Sequence, residues 1–330
     1  MAHPVWSETF EGGSAEAEAS LFERLARDIR GIQQANRTSQ AGPVLRTLHA
    51  KAVLAEPSAS FTMRADLPSR FAQGAFQPGT SFATIVRLSN ASGRLQDDDR
   101  RDMRGAALRL TLPGGASHDF LMTNFPVSHA RNARQFVDFA KAMAGSKFLL
   151  LPRLIAAHGL SETLRMLKNV SQATARPVTS LALETYWSRG ALLWGDAGPV
   201  RYLLRPAPDA LPAETLPPAP ERLRQELLGR LSHAPIRFEF CLQPFVDEMR
   251  TPIEDGATEW LESVSPPVVV ADLVLPVRPA GDGARTPGEA AIEALAFSPW
   301  NAADGLRPLG SLNRARKPVY WASADGRGAT

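Results

Sequence analysis

The sequence predicts an α+β fold, an eight-stranded antiparallel β-barrel that carries helical insertions. Eight short runs rich in strand-forming residues occur along the chain, and segments with helical spacing interrupt them after the fifth run. Eight strands is a barrel size whose interior can be filled by side chains. Because no linker of distinct composition separates two cores, we expect one domain over residues 1–330.

The runs alternate in hydrophobicity or are rich in β-branched and aromatic residues, as strands are. The clearest lies around Phe82-Ala83-Thr84-Ile85-Val86. The predicted strands are residues 44–54, 58–64, 82–90, 106–112, 118–123, 199–206, 235–243 and 268–276.

Helical spacing of apolar residues predicts an N-terminal helix over about residues 15–36, with a Glu-rich start that suits the positive end of a helix. Residues 130–175 have the same character, and 207–219 form a proline-rich excursion between strands. The last stretch, 300–330, is expected to be loop-like with a short helix near Pro318.

Composition excludes several classes of protein. The chain has 37 Lys and Arg against 34 Asp and Glu, and it lacks a basic run, which argues against nucleic-acid binding. Its one cysteine, Cys241, cannot form an internal disulfide and lies in an alternating apolar run, which favours a buried strand position over a nucleophile. The apolar stretches are too short for a membrane span, and the first residues lack the features of a signal peptide. We therefore expect no stable membrane insertion and a cytoplasmic location.

Common catalytic motifs are absent: the sequence has no glycine-rich phosphate loop, no G-x-S-x-G elbow and no H-E-x-x-H zinc helix. Two other segments are more informative. They are Arg46-Thr47-Leu48-His49-Ala50-Lys51 and Arg316-Lys317-Pro318-Val319-Tyr320, and they resemble the two haem-contacting signatures of catalases.

Four further segments resemble catalase motifs in the same order along the chain, and the likeness covers most of residues 44–140 and 290–330. They are Val86-Arg87-Leu88-Ser89, Asp102-Met103-Arg104-Gly105, the run from Asp119 to Pro126, and the run from Leu295 to Asn301. The resemblance implies haem b, with its iron, buried in a β-barrel core and chemistry on peroxides.

The resemblance makes Tyr320 the iron ligand, with Arg316 beside it. A phenol has a pKa near ~10, so binding as phenolate requires that the anion be favoured. Ferric iron provides most of the stabilisation of the phenolate anion, and the guanidinium four positions earlier adds electrostatic attraction to it. Without the other motifs, the simpler interpretation of this pair is a tyrosine near the terminus that packs against a neighbouring arginine.

On the opposite side, the resemblance makes His49 the residue that takes a proton from one peroxide oxygen and returns it to the other. The imidazole must be neutral for this, with its second nitrogen held by a fixed partner, for which the resemblance implies Ser89. An isolated histidine on a strand-like run is more often a core residue.

The resemblance also assigns the cofactor-binding residues. Arg46, Arg87 and Arg327 match the arginines that bind the haem propionates, and Phe136 falls where an aromatic ring covers the haem.

One position departs from the family pattern. The family's catalytic asparagine aligns without gaps to Thr123, and Asn124 follows it. Since neighbouring strand residues face opposite ways, only one of the two faces the haem, and we prefer Asn124. A threonine there implies weaker catalase turnover.

The expected function is a haem-dependent oxidoreductase of catalase or peroxidase type acting on hydrogen peroxide or organic peroxides. One alternative is an isomerase or lyase that rearranges a lipid hydroperoxide or another small substrate on the same haem. Another is a haem-binding or ligand-binding barrel without turnover. The chain lacks the wrapping segments of full-length catalases, so we expect a monomer or small homo-oligomer.

Overall fold

Eight strands close into an antiparallel barrel, which confirms the predicted fold class. The structure is a computed structural model that describes residues 4–39, 44–279, 281 and 283–329; the first three residues, part of the basis for expecting no signal peptide, lie outside these ranges. The described strands are β1 (Ala52–Met63), β2 (Ser81–Asn90), β3 (Arg104–Thr111), β4 (Ser117–Thr123), β5 (Tyr186–Ser188), β6 (Leu192–Trp194), β7 (Pro199–Pro206), β8 (Ile236–Pro244), β9 (Val268–Leu275) and β10 (Leu306–Pro308).

The sheet order is β10-β6-β7-β5-β4-β3-β2-β1-β9-β8, and a further pairing of β7 with β8 closes the barrel. The strands β6 and β10 extend the sheet beyond the closed ring. The described helices are α1 (Ala15–Ser39), α2 (Ala133–Ala144), α3 (Lys147–Ala173), α4 (Arg222–His233), α5 (Pro287–Ala294) and α6 (Ser311–Asp325).

The closed barrel has eight strands, as predicted, but they are not the eight predicted segments. The first two predicted runs, 44–54 and 58–64, form the single strand β1, which passes Pro57 through a register shift between Glu56 and Ala59. A bulge is one of the few places where a sheet tolerates proline. Residues 44–51 precede the strand, and the three-residue β5, which completes the ring, is too short to show a period in the sequence.

The C-terminal stretch is more helical than predicted. Helix α6 begins at Ser311 and contains Pro318 instead of starting near it. It packs against α1 and α2, and this packing outweighs the local cost of an internal proline. Helices α4 and α5 were not predicted from the sequence.

Aromatic side chains fill the barrel. The ring centroids of Phe61 and Phe120 lie 5.1 and 4.6 Å from that of Phe240. His118 is fully buried there, and its Nδ1 accepts the Ala303 N–H at 3.0 Å. Cys241 is buried, in agreement with its predicted strand position. The filled interior leaves the outer face of the wall as the place for a site.

On β2 the two faces are easy to tell apart. Phe82, Val86 and Leu88 belong to the interior core, so the alternating side chains of Arg87 and Ser89 project outwards. Helix α5 packs on this outer side of the wall against β1. None of the described helices is long and apolar enough to span a bilayer. The single-domain organisation stays a prediction.

Candidate functional site

A row of small polar residues crosses the outer face of the barrel wall. Ser89 of β2 pairs with Gly105 of β3, which in turn pairs with Thr123 of β4. Directly paired residues of antiparallel strands project to the same face. His49 lies over this row, with its Nδ1 3.1 Å from the Ser89 hydroxyl oxygen. The structure thus brings together three of the predicted site residues, namely His49, Ser89 and Thr123.

Glycine is required at position 105 because the imidazole of His49 lies against its backbone. A Cβ placed on Gly105 would come within 2.5 Å of Nδ1 and Cε1 of His49 and 3.0 Å of the Ser89 hydroxyl. The close approach explains the glycine of the Asp102-Met103-Arg104-Gly105 segment, whose role the sequence alone did not reveal.

His49 does not lie on a strand, contrary to the sequence-based expectation. It is in a bend three residues before β1, with a φ of 57°, the one positive value among the described non-glycine residues. Such a conformation costs a non-glycine residue about 1–2 kcal/mol. Its N–H donates to Ala91 O at 2.9 Å, and its carbonyl accepts the Arg87 Nη2 at 2.9 Å. These bonds hold the strained bend in place.

The environment of His49 keeps its imidazole neutral. Burial, followed by the positive charges of Arg87, Arg189 and Arg316, lowers the pKa of His49 to about 3. A neutral ring has one nitrogen free to accept a proton. The arrangement therefore meets the chemical requirement for a proton acceptor at this position.

Thr123 and Asn124 have different environments. The Thr123 hydroxyl is buried and has no hydrogen-bond partner in the described part of the chain. The Asn124 side chain accepts the Arg104 N–H at 2.6 Å and donates to Glu184 Oε2 at 2.8 Å. Since Thr123 shares the face of Ser89, the geometry favours Thr123 beside His49, and it does not support our preference for Asn124.

Three arginines converge on the end of α5. Arg46 donates to the carbonyls of Glu293 and Leu295, both at 3.1 Å, and Arg327 reaches the same two carbonyls at 3.2 and 3.4 Å. Arg87 forms a bidentate pair with the Glu293 carboxylate at 2.6 and 3.0 Å. Residues from distant parts of the chain thus form one cationic cluster, as the resemblance implies.

The cluster has more positive than negative charge. Burial, then the charges of Arg87 and Arg327, lowers the pKa of the Arg46 guanidinium to about 9. The Nε atoms of Arg46 and Arg327 are buried and lack a partner within the described residues. Of the three guanidiniums, only that of Arg87 bonds to the Glu293 carboxylate, whereas Arg46 and Arg327 bond to the backbone carbonyl of Glu293. A further anionic group would satisfy the cluster.

Tyr320 and Arg316 form an i, i+4 pair on α6. Arg316 Nη2 donates to the Tyr320 hydroxyl at 2.8 Å, and Nη1 donates to Asn313 Oδ1 at 3.0 Å. Because Pro318 lies inside the helix, the two residues share a helical face. The bend that carries His49 is tied to the same helix, since the Thr47 and Ser323 hydroxyls lie 3.0 Å apart.

Phe136 lies on α2 and packs against the same hydrophobic cluster as Val319, the neighbour of Tyr320. Its ring centroid is 5.0 Å from that of His129. The His129 Nε2 is buried and unpartnered among the residues described, and burial together with Arg189 and Arg165 lowers its pKa to about 3.

Arg189, which the sequence analysis missed, belongs to the same region. It donates to Val127 O and, at 3.5 Å, to Met103 Sδ. Burial, then the charge of Arg316, lowers its pKa to about 9, while Tyr320 acts in the opposite direction. No local motif marks this residue, because only the fold brings the end of β5 next to α6.

Comparison with known proteins relates this geometry to the catalases. The family model described as "Catalase" matches residues 22–147. A catalase-related peroxidase of Mycolicibacterium paratuberculosis is 29% identical over 301 residues, which are 88% of this chain and 91% of the relative. The chain is thus similar to catalases and to a catalase-related peroxidase.

Solved catalases share the fold of this chain. A fungal catalase superposes with a TM-score of 0.69 at 16% identity over 88% of this chain, and the chain spans only 61% of its length. Catalase A of Saccharomyces cerevisiae gives a TM-score of 0.69 at 15% identity, covering 99% of this chain and 68% of the other. A bacterial catalase gives a TM-score of 0.61 at 18% identity, and the match covers 99% of this chain and 67% of the bacterial catalase.

The contact between Gly105 and His49 leads to a stability prediction. Gly105→Ala should lower the free energy of unfolding by about 1–3 kcal/mol, because backbone or imidazole must move to admit the methyl group. Gly31→Ala is the control: it lies in α1 with nothing within 4 Å of its Cβ position, so it should be neutral or stabilising. Urea unfolding measures both, and equal effects would contradict the proposed close packing.

Three buried histidines make the fold sensitive to mild acid. The pKa values of His49, His118 and His129 are each about 3 in the folded protein, mainly because of burial. Since the unfolded chain binds these protons near pH ~6.5, stability present above that pH should be lost as the pH falls towards 3. The free energy of unfolding should fall by as much as about 4 kcal/mol per pH unit, because the unfolded chain binds three more protons than the folded protein.

Urea unfolding at pH 7.5, 6.5 and 5.5 measures this slope. His129→Phe should reduce the slope of the free energy of unfolding against pH by about one third, because one of the three imidazoles is removed. His233→Ala, at an exposed histidine of α4, should leave it unchanged. A free energy of unfolding that does not change between pH 7.5 and 5.5 would contradict the buried neutral state of the three rings.

Proposed function

We propose that this protein is a haem-dependent oxidoreductase that acts on hydrogen peroxide or small organic peroxides. The observation that carries the proposal is the cluster of Arg46, Arg87 and Arg327, which lies beside the His49 bend and is joined to the helix of Tyr320. The catalase family and the catalase-related peroxidase support peroxide chemistry at the level of the family.

The cationic cluster fits the two propionates of a haem. Three guanidiniums face one carboxylate, which leaves two positive charges, and two of their Nε–H groups lack acceptors in the described chain. Carboxylates accept such charge-assisted hydrogen bonds strongly. Arg46, Arg87 and Arg327 would hold the propionates, with Glu293 sharing Arg87.

Tyr320 fits the iron ligand of haem b. A phenol oxygen binds ferric iron as the anion, and the Arg316 guanidinium already donates to that oxygen at 2.8 Å. Of the described residues, no group of three or more His, Cys, Asp or Glu could hold a metal by itself. When bound, haem iron supplies the redox chemistry with the peroxide.

His49 supplies the proton transfer. Its neutral imidazole can take a proton from one peroxide oxygen and return it to the other, with Ser89 holding Nδ1. The unpartnered Thr123 hydroxyl offers a further hydrogen bond on the same face. It has one donor where the asparagine of the family pattern has two, so we propose peroxidase-type turnover with weak catalase activity.

The first functional prediction concerns haem binding. Titration of the haem-free protein with haemin should give a five-coordinate, high-spin ferric spectrum with phenolate character. Tyr320→Phe should abolish or greatly weaken this binding or shift the spectrum, because the ligand oxygen is removed. Tyr202→Phe is the matched control, since that phenol bonds to the backbone of Leu121 inside the barrel. A wild-type protein that takes up no haem would overturn the proposal.

The second functional prediction concerns proton transfer. His49→Ala should keep the haem, since Tyr320 and the arginines hold it, yet react with peroxides about 10²–10⁴-fold more slowly. Thr123→Val should reduce the rate by about tenfold through loss of one hydrogen bond. The exposed His233→Ala should react like wild type.

Stopped-flow mixing with hydrogen peroxide and with an organic hydroperoxide measures these rates. Wild-type reactivity of His49→Ala towards both would exclude the proposed role of His49. Conversion of a lipid hydroperoxide by the wild-type protein without consumption of an electron donor would indicate the isomerase or lyase activity instead. The monomeric or small oligomeric state stays a prediction.

A further inference from the structure

The outer surface of α3 and of the end of α2 is apolar. Phe148 is 93% exposed, and Leu160 and Leu164 are 57% and 55% exposed. We use the term α3 patch for six exposed side chains of this helix pair: Met143, Phe148, Leu149, Leu151, Leu160 and Leu164.

The patch is not the core-facing side of the helix. Leu154 and Met166 of α3 are buried against Phe139 and Ala142 of α2. The outward positions near the start of α3 are also apolar, and Pro152 and Ala156 are exposed there beside Phe148. A helix that is apolar on two sides has its second apolar side covered by something other than water.

The charges around the patch are positive. Arg153 and Lys168 are exposed and form no ion pair with a described acid. Glu162, the acid of α3, is already paired with Arg131 and Arg165. The charge that remains free next to the apolar side chains is therefore cationic.

We propose that the α3 patch is a peripheral docking surface for membranes that contain anionic lipids. Helix α3 is kinked at Gly159, and each of its two halves has exposed Phe or Leu side chains together with an exposed Arg or Lys. Both halves would lie in the plane of the bilayer interface, where their apolar side chains enter the acyl region. Anionic headgroups then neutralise Arg153 and Lys168. The proposal goes beyond the proposed peroxide chemistry and does not depend on it.

A second copy of the chain fits the patch less well. A two-fold interface would place the patch against itself, and α3 offers no free acid that could pair with Arg153 and Lys168 of the other copy. Burying unpaired charges at an interface is costly. An anionic lipid surface supplies the counter-charges while covering the same apolar area.

Co-sedimentation of the intact chain with vesicles tests the proposal. The wild-type protein should bind vesicles of phosphatidylcholine with one quarter phosphatidylserine, and it should bind pure phosphatidylcholine much less. The double variant Phe148→Ser, Leu151→Ser should lower the partition coefficient about tenfold or more, because two apolar side chains no longer enter the bilayer. Arg153→Glu with Lys168→Glu should lower it by about tenfold or more on the anionic vesicles alone.

The matched control is Met249→Ser with Leu261→Ser, at exposed apolar side chains outside the patch, and it should bind like wild type. Circular dichroism of each variant should match the wild-type spectrum, since all the substituted side chains are exposed. Wild-type protein that remains in the supernatant with anionic vesicles, or patch variants that bind as tightly as wild type, would overturn the proposal. Light scattering that showed a dimer which only the Phe148→Ser, Leu151→Ser variant dissociates would assign the patch to self-association instead.

Discussion

The site depends on the convergence of Arg46, Arg87 and Arg327 at the end of α5. The three side chains come from the segment before β1, from the barrel wall and from the end of α6, and their hydrogen bonds meet at Glu293 and Leu295. Three nearby guanidiniums repel one another, and burial adds to that cost, as the lowered pKa of Arg46 shows. The concentrated positive charge of the cluster therefore lowers the stability of the fold. Such a cluster is expected where an anionic ligand completes the arrangement.

A second constraint follows from the same contacts, because Arg87 also holds the carbonyl of His49. The left-handed backbone of His49 is strained, and residues in strained conformations persist only where several contacts determine them. Here the contacts are the bond to Ala91, the bond from Arg87, the Ser89 hydroxyl and the backbone of Gly105. Together they fix an imidazole that burial keeps neutral. Proton transfer needs both properties at once, a fixed direction and an uncharged ring.

The filled barrel explains where this chemistry can take place. Phe61, Phe120 and Phe240 occupy the interior, so the wall acts as a rigid support and the site is built on its outside. Under the proposed function, a haem would lie between the outer wall and the helices, because side chains fill the barrel interior. The wall supplies Arg87, Ser89 and Thr123, and α6 supplies Tyr320 and Arg316. A rigid element under a site keeps its geometry better than loops alone do.

The sequence by itself predicted the fold class and the buried strand position of Cys241, because each depends on local spacing. It did not determine the extent of β1, since a bulge at Pro57 lets one strand continue where the local pattern breaks. Only the tertiary structure shows that Thr123 shares the face of Ser89, because the side that a strand residue faces depends on register with its neighbours. The same is true of Arg189, Glu293 and Gly105, which lie far from His49 or Tyr320 in the sequence. Their proximity results from barrel closure and helix packing, and no local pattern encodes a contact between segments that distant in the chain.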